Sequence, residues 1–217
     1  MGQPCGVLLA AGVGRRFTQA QPDAGDKLMQ TLPDGRPVAL AALRTLLAAL
    51  PRVVAVVRPG AHALADALRA EGAEVIVWPP MPPDSRMGAH QMPEGRDSGM
   101  GASLACAVRA TPNASAWVIA LADMPGVRAD TLQRVVHAVD SDASAIAAPA
   151  YRGQRGHPVG FGWAHAPALR ALRGDRGARD ILLAQAGQLV LLEVDDPGIV
   201  ADVDTPADLA RFIEARA

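Results

Sequence analysis

The sequence predicts an α/β domain built on a mainly parallel sheet. Short apolar runs recur along the chain, from Val7-Leu8-Leu9-Ala10-Ala11 to Leu189-Val190-Leu191-Leu192-Glu193-Val194. Stretches of helical length stand between most of them. An alternation of strand and helix favours parallel strands joined by crossover helices. Unbroken apolar runs are what strands covered on both faces require.

The elements follow in order. Val7 to Ala11 is the first strand and ends at Gly12-Val13-Gly14. Glycine lets a ligand approach the main chain, and successive N–H groups in such a turn form an anion-binding concavity. Arg15, Arg16 and Lys27 add cations beside it. Thr18 to Gly25 is polar and predicts a mobile loop, and Pro33 to Pro37 predicts a turn. Val38 to Leu50 is an alanine-rich helix ended by Pro51-Arg52. Val53 to Val57 is the second strand, Ala61 to Glu71 an amphipathic helix stopped at Gly72, and Glu74 to Trp78 the third strand. Pro79 to Gly99 carries five prolines and three methionines with no sustained period, which reads as a long loop.

Gly99-Met100-Gly101-Ala102-Ser103 opens a helix to Ala110. Trp117 to Leu121 is the fourth strand and runs into Ala122-Asp123-Met124-Pro125. A helix over Arg128 to Val139 and a strand over Ala145 to Pro149 follow. Arg155 to Phe161 is a turn leading into a strand. Helices over Ala166 to Leu172 and Ala178 to Gln185 flank Gly174-Asp175-Arg176-Gly177. The last strand is Leu189 to Val194, and Asp202-Val203-Asp204-Thr205-Pro206 starts the final helix, with Thr205 as its cap. No repeat or boundary divides residues 1–217, which predicts a single domain.

Composition excludes several classes of function. A formal net charge of −1 gives no field that gathers nucleic acid or a membrane surface. Aromatic residues make up 3% of the chain, too few for a base-stacking platform. Two cysteines, Cys5 and Cys106, cannot build a disulfide scaffold or a cysteine metal cage, and both read as packed small hydrophobes. There is no basic leader followed by an apolar core and no apolar run of membrane-spanning length. The expectation is a reduced, cytoplasmic, soluble protein.

Two common readings of the glycine turn fail. A dinucleotide fingerprint requires a third glycine where Phe17 stands, and an acid at the end of the second strand, where Arg58 and Pro59 stand. The Walker A pattern is absent as well. Asp123, placed directly after a buried strand, suits a hard cation such as Mg²⁺, which takes oxygen ligands and keeps substrate phosphates and water in its shell. Asp202 and Asp204 offer a second carboxylate, although Asp-x-Asp-Thr-Pro equally makes a good helix start.

Taken together, Leu9 to Phe17 with Lys27 downstream resembles the signature of the sugar-nucleotide-type nucleotidyltransferases. Leu121-Ala122-Asp123-Met124-Pro125 is similar to the metal-binding motif of that superfamily. Gly99 to Leu104, Gly156-His157-Pro158-Val159, Gly174 to Arg179 and Asp202 to Pro206 most resemble its molybdenum cofactor cytidylyltransferase branch. The resemblance implies a three-layer, Rossmann-like mixed sheet of the nucleotide-diphospho-sugar transferase type. It implies a nucleoside triphosphate held by Leu9, Ala10, Ala11, Gly12, Val13 and Gly14, and by Gly99, Gly101 and Ser103. Arg16 and Lys27 match residues expected on the triphosphate, Asp123 the Mg²⁺ ligand, and Asp202 and Asp204 the paired C-terminal positions. His157, Asp175, Arg176 and Arg179 fall on the side of a phosphorylated pterin acceptor; a packing histidine and a solvated helix start are equal readings for His157 and the two arginines.

The implied reaction joins a nucleoside monophosphate, from CTP in this branch, to a phosphate of the acceptor and releases pyrophosphate. A guanylyltransferase, or a transferase acting on a sugar or polyol phosphate, shares the motifs. Outside that class stand a non-catalytic carrier of the nucleotide-linked pterin, serving a molybdenum hydroxylase or its chaperone, and a nicotinamide-dependent oxidoreductase. Two departures from the pattern are the ten residues between Arg16 and Lys27 and the length of Pro79 to Ser98.

Overall fold

The structure, a computed structural model, describes residues 2–78 and 99–215. The long loop expected over Pro79 to Ser98 lies outside the described residues. The strands are β1 (Cys5–Ala10), β2 (Val53–Val57), β3 (Glu74–Val77), β4 (Ala116–Leu121), β5 (Ile146–Tyr151), β6 (Gln154–Arg155), β7 (Val159–Gly162) and β8 (Leu189–Glu193). The helices are α1 (Arg15–Ala20), α2 (Val38–Leu47), α3 (His62–Ala70), α4 (Met100–Ala110), α5 (Ala129–Asp140), α6 (Ala166–Arg170), α7 (Arg179–Ala184) and α8 (Pro206–Glu214).

The strands form one mixed sheet in the order β3-β2-β1-β4-β7-β5-β6, with β8 paired to β5. β3, β2, β1 and β4 run parallel, as does β8 with β5. β7 is antiparallel to both β4 and β5, and β6 returns on β5 as a short hairpin. The chain therefore leaves β1 toward one edge through β2 and β3, then comes back to the other side of β1 as β4. That reversal of direction makes a crevice at the carboxyl ends of β1 and β4, the position where open α/β sheets bind ligands.

Alternate residues of each strand feed two cores, one on each face of the sheet. Leu8, Ala55, Val118 and Ala120 pack beneath α2, α3 and α5 through Leu43, Leu46, Leu64, Leu68, Leu132 and Val135. Val7, Val54, Val56, Trp117 and Phe161 pack on the opposite face against Leu104 and Val108 of α4, Leu169 of α6 and Ile181 of α7. The Trp117 indole donates to Thr111 Oγ1 at 2.8 Å, so this fully buried ring leaves no polar atom unpaired. Burial pushes the Cys5 thiol up to about 11 and raises Cys106 as well, consistent with packing roles for both. Among the described residues no helix is long and apolar enough to cross a membrane.

One expectation is corrected. Thr18 to Ala20 continue α1, and Pro22–Ala24 form a 3-10 turn, where the polar sequence predicted a loop from Thr18 to Gly25. The helix holds because Phe17, 1% exposed, anchors it in the interior while its polar residues face water.

Candidate active site

The glycine turn leaves β1 and enters α1. Gly14 takes φ +64°, a left-handed conformation that a side chain disfavours. A Cβ at Gly14 would also stand 3.3 Å from Lys27 Cγ, so the turn closes over the aliphatic stem of that lysine. Gly12 faces open space, Val13 is about half exposed, and Ala10 is buried in the sheet. The turn is thus uncovered at Gly12 and Val13.

Lys27 is positioned by a second device. Asp26 accepts from Leu28 N at 3.0 Å, and Arg58, at the end of β2, donates to Asp26 at 2.9 Å. Asp26 therefore caps the short turn Lys27–Met29 and ties it to the sheet. The Lys27 side chain is 7% exposed, and its ammonium donates to Asp123 Oδ2 at 2.7 Å and to Asp204 Oδ1 at 2.8 Å. Burial alone would lower the lysine's pKa; the charges and hydrogen bonds of Asp123 and Asp204 outweigh it and raise it. Arg16, on the exposed side of α1, donates to Asp204 Oδ2.

Two unrelated stretches of sequence meet here because Val203 N donates to the backbone carbonyl of Asp123 at 2.8 Å. Leu9 O likewise accepts from Ala122 N at 3.1 Å, which draws the ends of β1 and β4 together. Of the two C-terminal acids, Asp204 joins the cluster and Asp202 does not hydrogen-bond within it. Asp202 lines a groove with Arg128 and Arg211, and burial together with the nearby Asp204 and Asp123 charges raises its pKa. Thr205 caps α8 in a reciprocal box with Asp208, so the same five residues start the helix and deliver Asp204. Among the described residues no three His, Cys, Asp or Glu side chains converge as a self-sufficient metal cage.

The other expected residues fall into two groups. Gly99, Gly101 and Ser103 form the start of α4, where Ser103 Oγ donates back to Gly99 O at 2.9 Å. Gly99 has φ +100°, and a Cβ there would strike Asp175 Oδ1 at 2.0 Å. Gly101 N donates to Gly174 O at 2.7 Å. The structure therefore sets Asp175 against the glycines of α4. His157, Arg176 and Arg179 line a cavity of about 150 Å³ floored by Leu9, Ile119, Val159 and Phe161. Arg176 pairs with Asp180 at 2.8 Å. Arg155 lines the same cavity and was not singled out from the sequence. Its position two residues before His157 in an extended stretch was the available signal, since such residues point to one side.

His157 Nδ1 is sealed from solvent and has no hydrogen-bond partner among the described residues. Burial pushes the ring's pKa below its ordinary value and Arg155 adds to that, while the Ile119 carbonyl and Asp123 oppose it. The unfolded chain then binds a proton that the folded ring resists. This contribution to stability is complete above the ordinary value of about 6.5 and is lost as pH falls below it toward the folded value. Urea unfolding across this range should show the loss, and His157→Gln should flatten it. An unchanged slope in the variant would rule out His157 as the source.

The site thus joins a crevice at the β1/β4 reversal, a glycine turn and a lysine bridging two carboxylates, and the chain that carries it is an NTP transferase. The chain belongs to the MobA-like NTP transferase domain family, whose model matches residues 6–189. It is 31% identical over 206 residues to purine catabolism protein PucB of Bacillus subtilis (strain 168), covering 94% of this chain and 92% of the relative. It is 28% identical over 221 residues to nicotine blue oxidoreductase of Paenarthrobacter nicotinovorans, covering 97% of each. The crystal structure of Rv0371c from Mycobacterium tuberculosis H37Rv superposes with a TM-score of 0.77 at 26% identity, covering 98% of both chains. That protein has also been crystallised in complex with manganese.

Proposed function

We propose that this chain transfers a cytidylyl group from CTP to a phosphate of a molybdenum-bearing pterin. The single observation that carries the nucleotidyl-transfer reading is the Lys27 bridge between Asp123 and Asp204 beside the glycine turn. The four motifs that most resemble the cytidylyltransferase branch, Gly99 to Leu104, Gly156 to Val159, Gly174 to Arg179 and Asp202 to Pro206, support the base and the acceptor.

In this reading a phosphate oxygen of the acceptor attacks the α-phosphorus of the triphosphate. A new P–O bond forms, the bond to the bridging oxygen breaks, and pyrophosphate leaves. The backbone of Gly12 to Gly14 receives phosphate oxygens, while Arg16 and Lys27 neutralise them. Arg155, Arg176 and Arg179 hold the acidic acceptor over the apolar floor of their cavity. Positioning and charge neutralisation do most of the work in such transfers.

Oxygen donors and a cation already seated between them fit a hard divalent ion at Asp123 and Asp204. Mg²⁺ bound there would neutralise charge on the transferring and leaving groups. The manganese complex of the similar protein Rv0371c supports the use of a divalent ion.

The test is pyrophosphate release on incubation with Mg²⁺, molybdenum cofactor and each NTP in turn. Turnover with CTP is expected, and no turnover with any NTP would overturn the assignment.

The name of the second relative raises an oxidoreductase reading. Phe17 is buried where a dinucleotide loop requires glycine, and Arg58, engaged with Asp26, holds the position of the ribose-binding acid. Thermal shift separates the two readings: CTP with Mg²⁺ at a hundred times its Kd should add about 2.7 kcal/mol, and NADH should add nothing.

A further inference from the structure

Asp204 has no oxygen to spare. Its Oδ1 accepts from Lys27 at 2.8 Å, and its Oδ2 accepts from Arg16. Asp123 gives Oδ2 to the same ammonium at 2.7 Å. Three of the four carboxylate oxygens of the pair thus already face a side-chain cation. Mg²⁺ binds carboxylate oxygens at about 2.0–2.1 Å and carries two charges, so it cannot share this position with an ammonium. Arg16 is three-quarters exposed and its pairing is readily exchanged for water. Lys27 is buried, and its stem is held beneath Gly14, so its ammonium cannot simply move into solvent. It needs another anion within reach, and the turn above its stem is built to hold one.

We propose that Lys27 is a cation place-holder, which occupies the metal position between Asp123 and Asp204 in the nucleotide-free protein and yields it only when a triphosphate on the glycine turn accepts its charge. This rests on the nucleotidyl-transfer reading of the site and adds an order to it. The nucleotide and the divalent ion arrive together, and the ion alone binds weakly. The arrangement also explains how two carboxylates from distant motifs stay close in the resting protein without repelling each other apart.

The test measures Mn²⁺ binding by electron paramagnetic resonance, with and without a non-hydrolysable CTP analogue. Wild-type protein should bind Mn²⁺ weakly alone and at least about tenfold more tightly with the analogue. Lys27→Met keeps an apolar stem under Gly14 and removes the charge; it should bind Mn²⁺ alone at least about tenfold more tightly than wild type. Equal affinities of wild type and K27M without nucleotide would overturn the place-holder and leave the metal site standing. No Mn²⁺ binding in either protein, even with the analogue, would overturn the site itself and the place-holder with it. The wild-type protein supplies a second arm that does not depend on the variant folding. The ¹⁵N resonance of the Lys27 ammonium should stay unchanged on adding Mg²⁺ alone and shift on adding Mg²⁺ with the analogue. An unchanged resonance in the presence of both would also overturn the proposal.

Discussion

Replacing Asp123 by asparagine is expected to lower the rate of pyrophosphate release by about a hundred- to a thousand-fold while the protein stays folded. The size follows from removing one preorganised charge at a centre where charge develops on a phosphoryl group. The fold survives because the structural role of this residue lies in its backbone: its carbonyl accepts from Val203 N, and asparagine keeps that bond. Lys27 retains Asp204 as a partner. The side chain of Asp123 is 22% exposed, so the loss of one charge-assisted hydrogen bond is softened by water. Thermal unfolding should therefore shift by only a few degrees. A D123N rate equal to wild type would remove Asp123 from the chemistry.

Replacing Asp196 by alanine should produce the largest stability loss outside the core, about 3–5 kcal/mol. Its carboxylate is 1% exposed and accepts three hydrogen bonds: from Arg128 N at 2.9 Å, Thr131 Oγ1 at 2.8 Å and Gly198 N at 3.0 Å. The first two cap the start of α5, and the third fixes the turn that leads to Val203 and Asp204. Alanine leaves all three donors without their acceptor, those of Thr131 and Gly198 in buried surroundings. In a domain of this size each kcal/mol corresponds to about 2–4 °C, so the melting temperature should drop by about 10 °C. The same change should weaken Mn²⁺ binding in the presence of a CTP analogue, because the arm bearing Asp204 loses its anchor. A melting temperature within a degree of wild type would show that water replaces the carboxylate.

How far the sequence revealed this molecule depends on the kind of residue concerned. The central parallel strands β1, β2 and β4 were legible because Val53 to Val57 and its counterparts there are apolar almost without interruption, as strands covered on both faces require. The reversed direction of β7 was not, since Val159-Gly160-Phe161-Gly162 carries no mark of orientation; pairing with β4 and β5 decides it. α1 was missed because a single buried residue, Phe17, holds it, too little to set a period. At the site, Lys27, Asp123 and Asp204 were all named, and the structure brings them together. Which acid of Asp202-Val203-Asp204 faces the lysine was hidden, because the choice is made by a backbone bond from Val203 to a strand end 80 residues away in sequence. Asp196 carried no signal at all: a buried acid that caps a helix from a distant loop looks, in sequence, like any aspartate before a proline.

The contact at the head of α4 has a mechanical consequence. Gly99 makes room for the Asp175 side chain, and Gly101 meets the Arg173–Gly174 backbone directly and donates to Gly174, with no side chain of its own to absorb a displacement. The glycines at the start of α4 and the loop that leads directly into Arg176 and Arg179 are therefore mechanically linked. A ligand that displaced either end would press directly on the other. In the proposed reaction the nucleotide and the acceptor would then not fill independent pockets, and by thermodynamic reciprocity whatever the first did to the affinity of the second would be returned in equal measure.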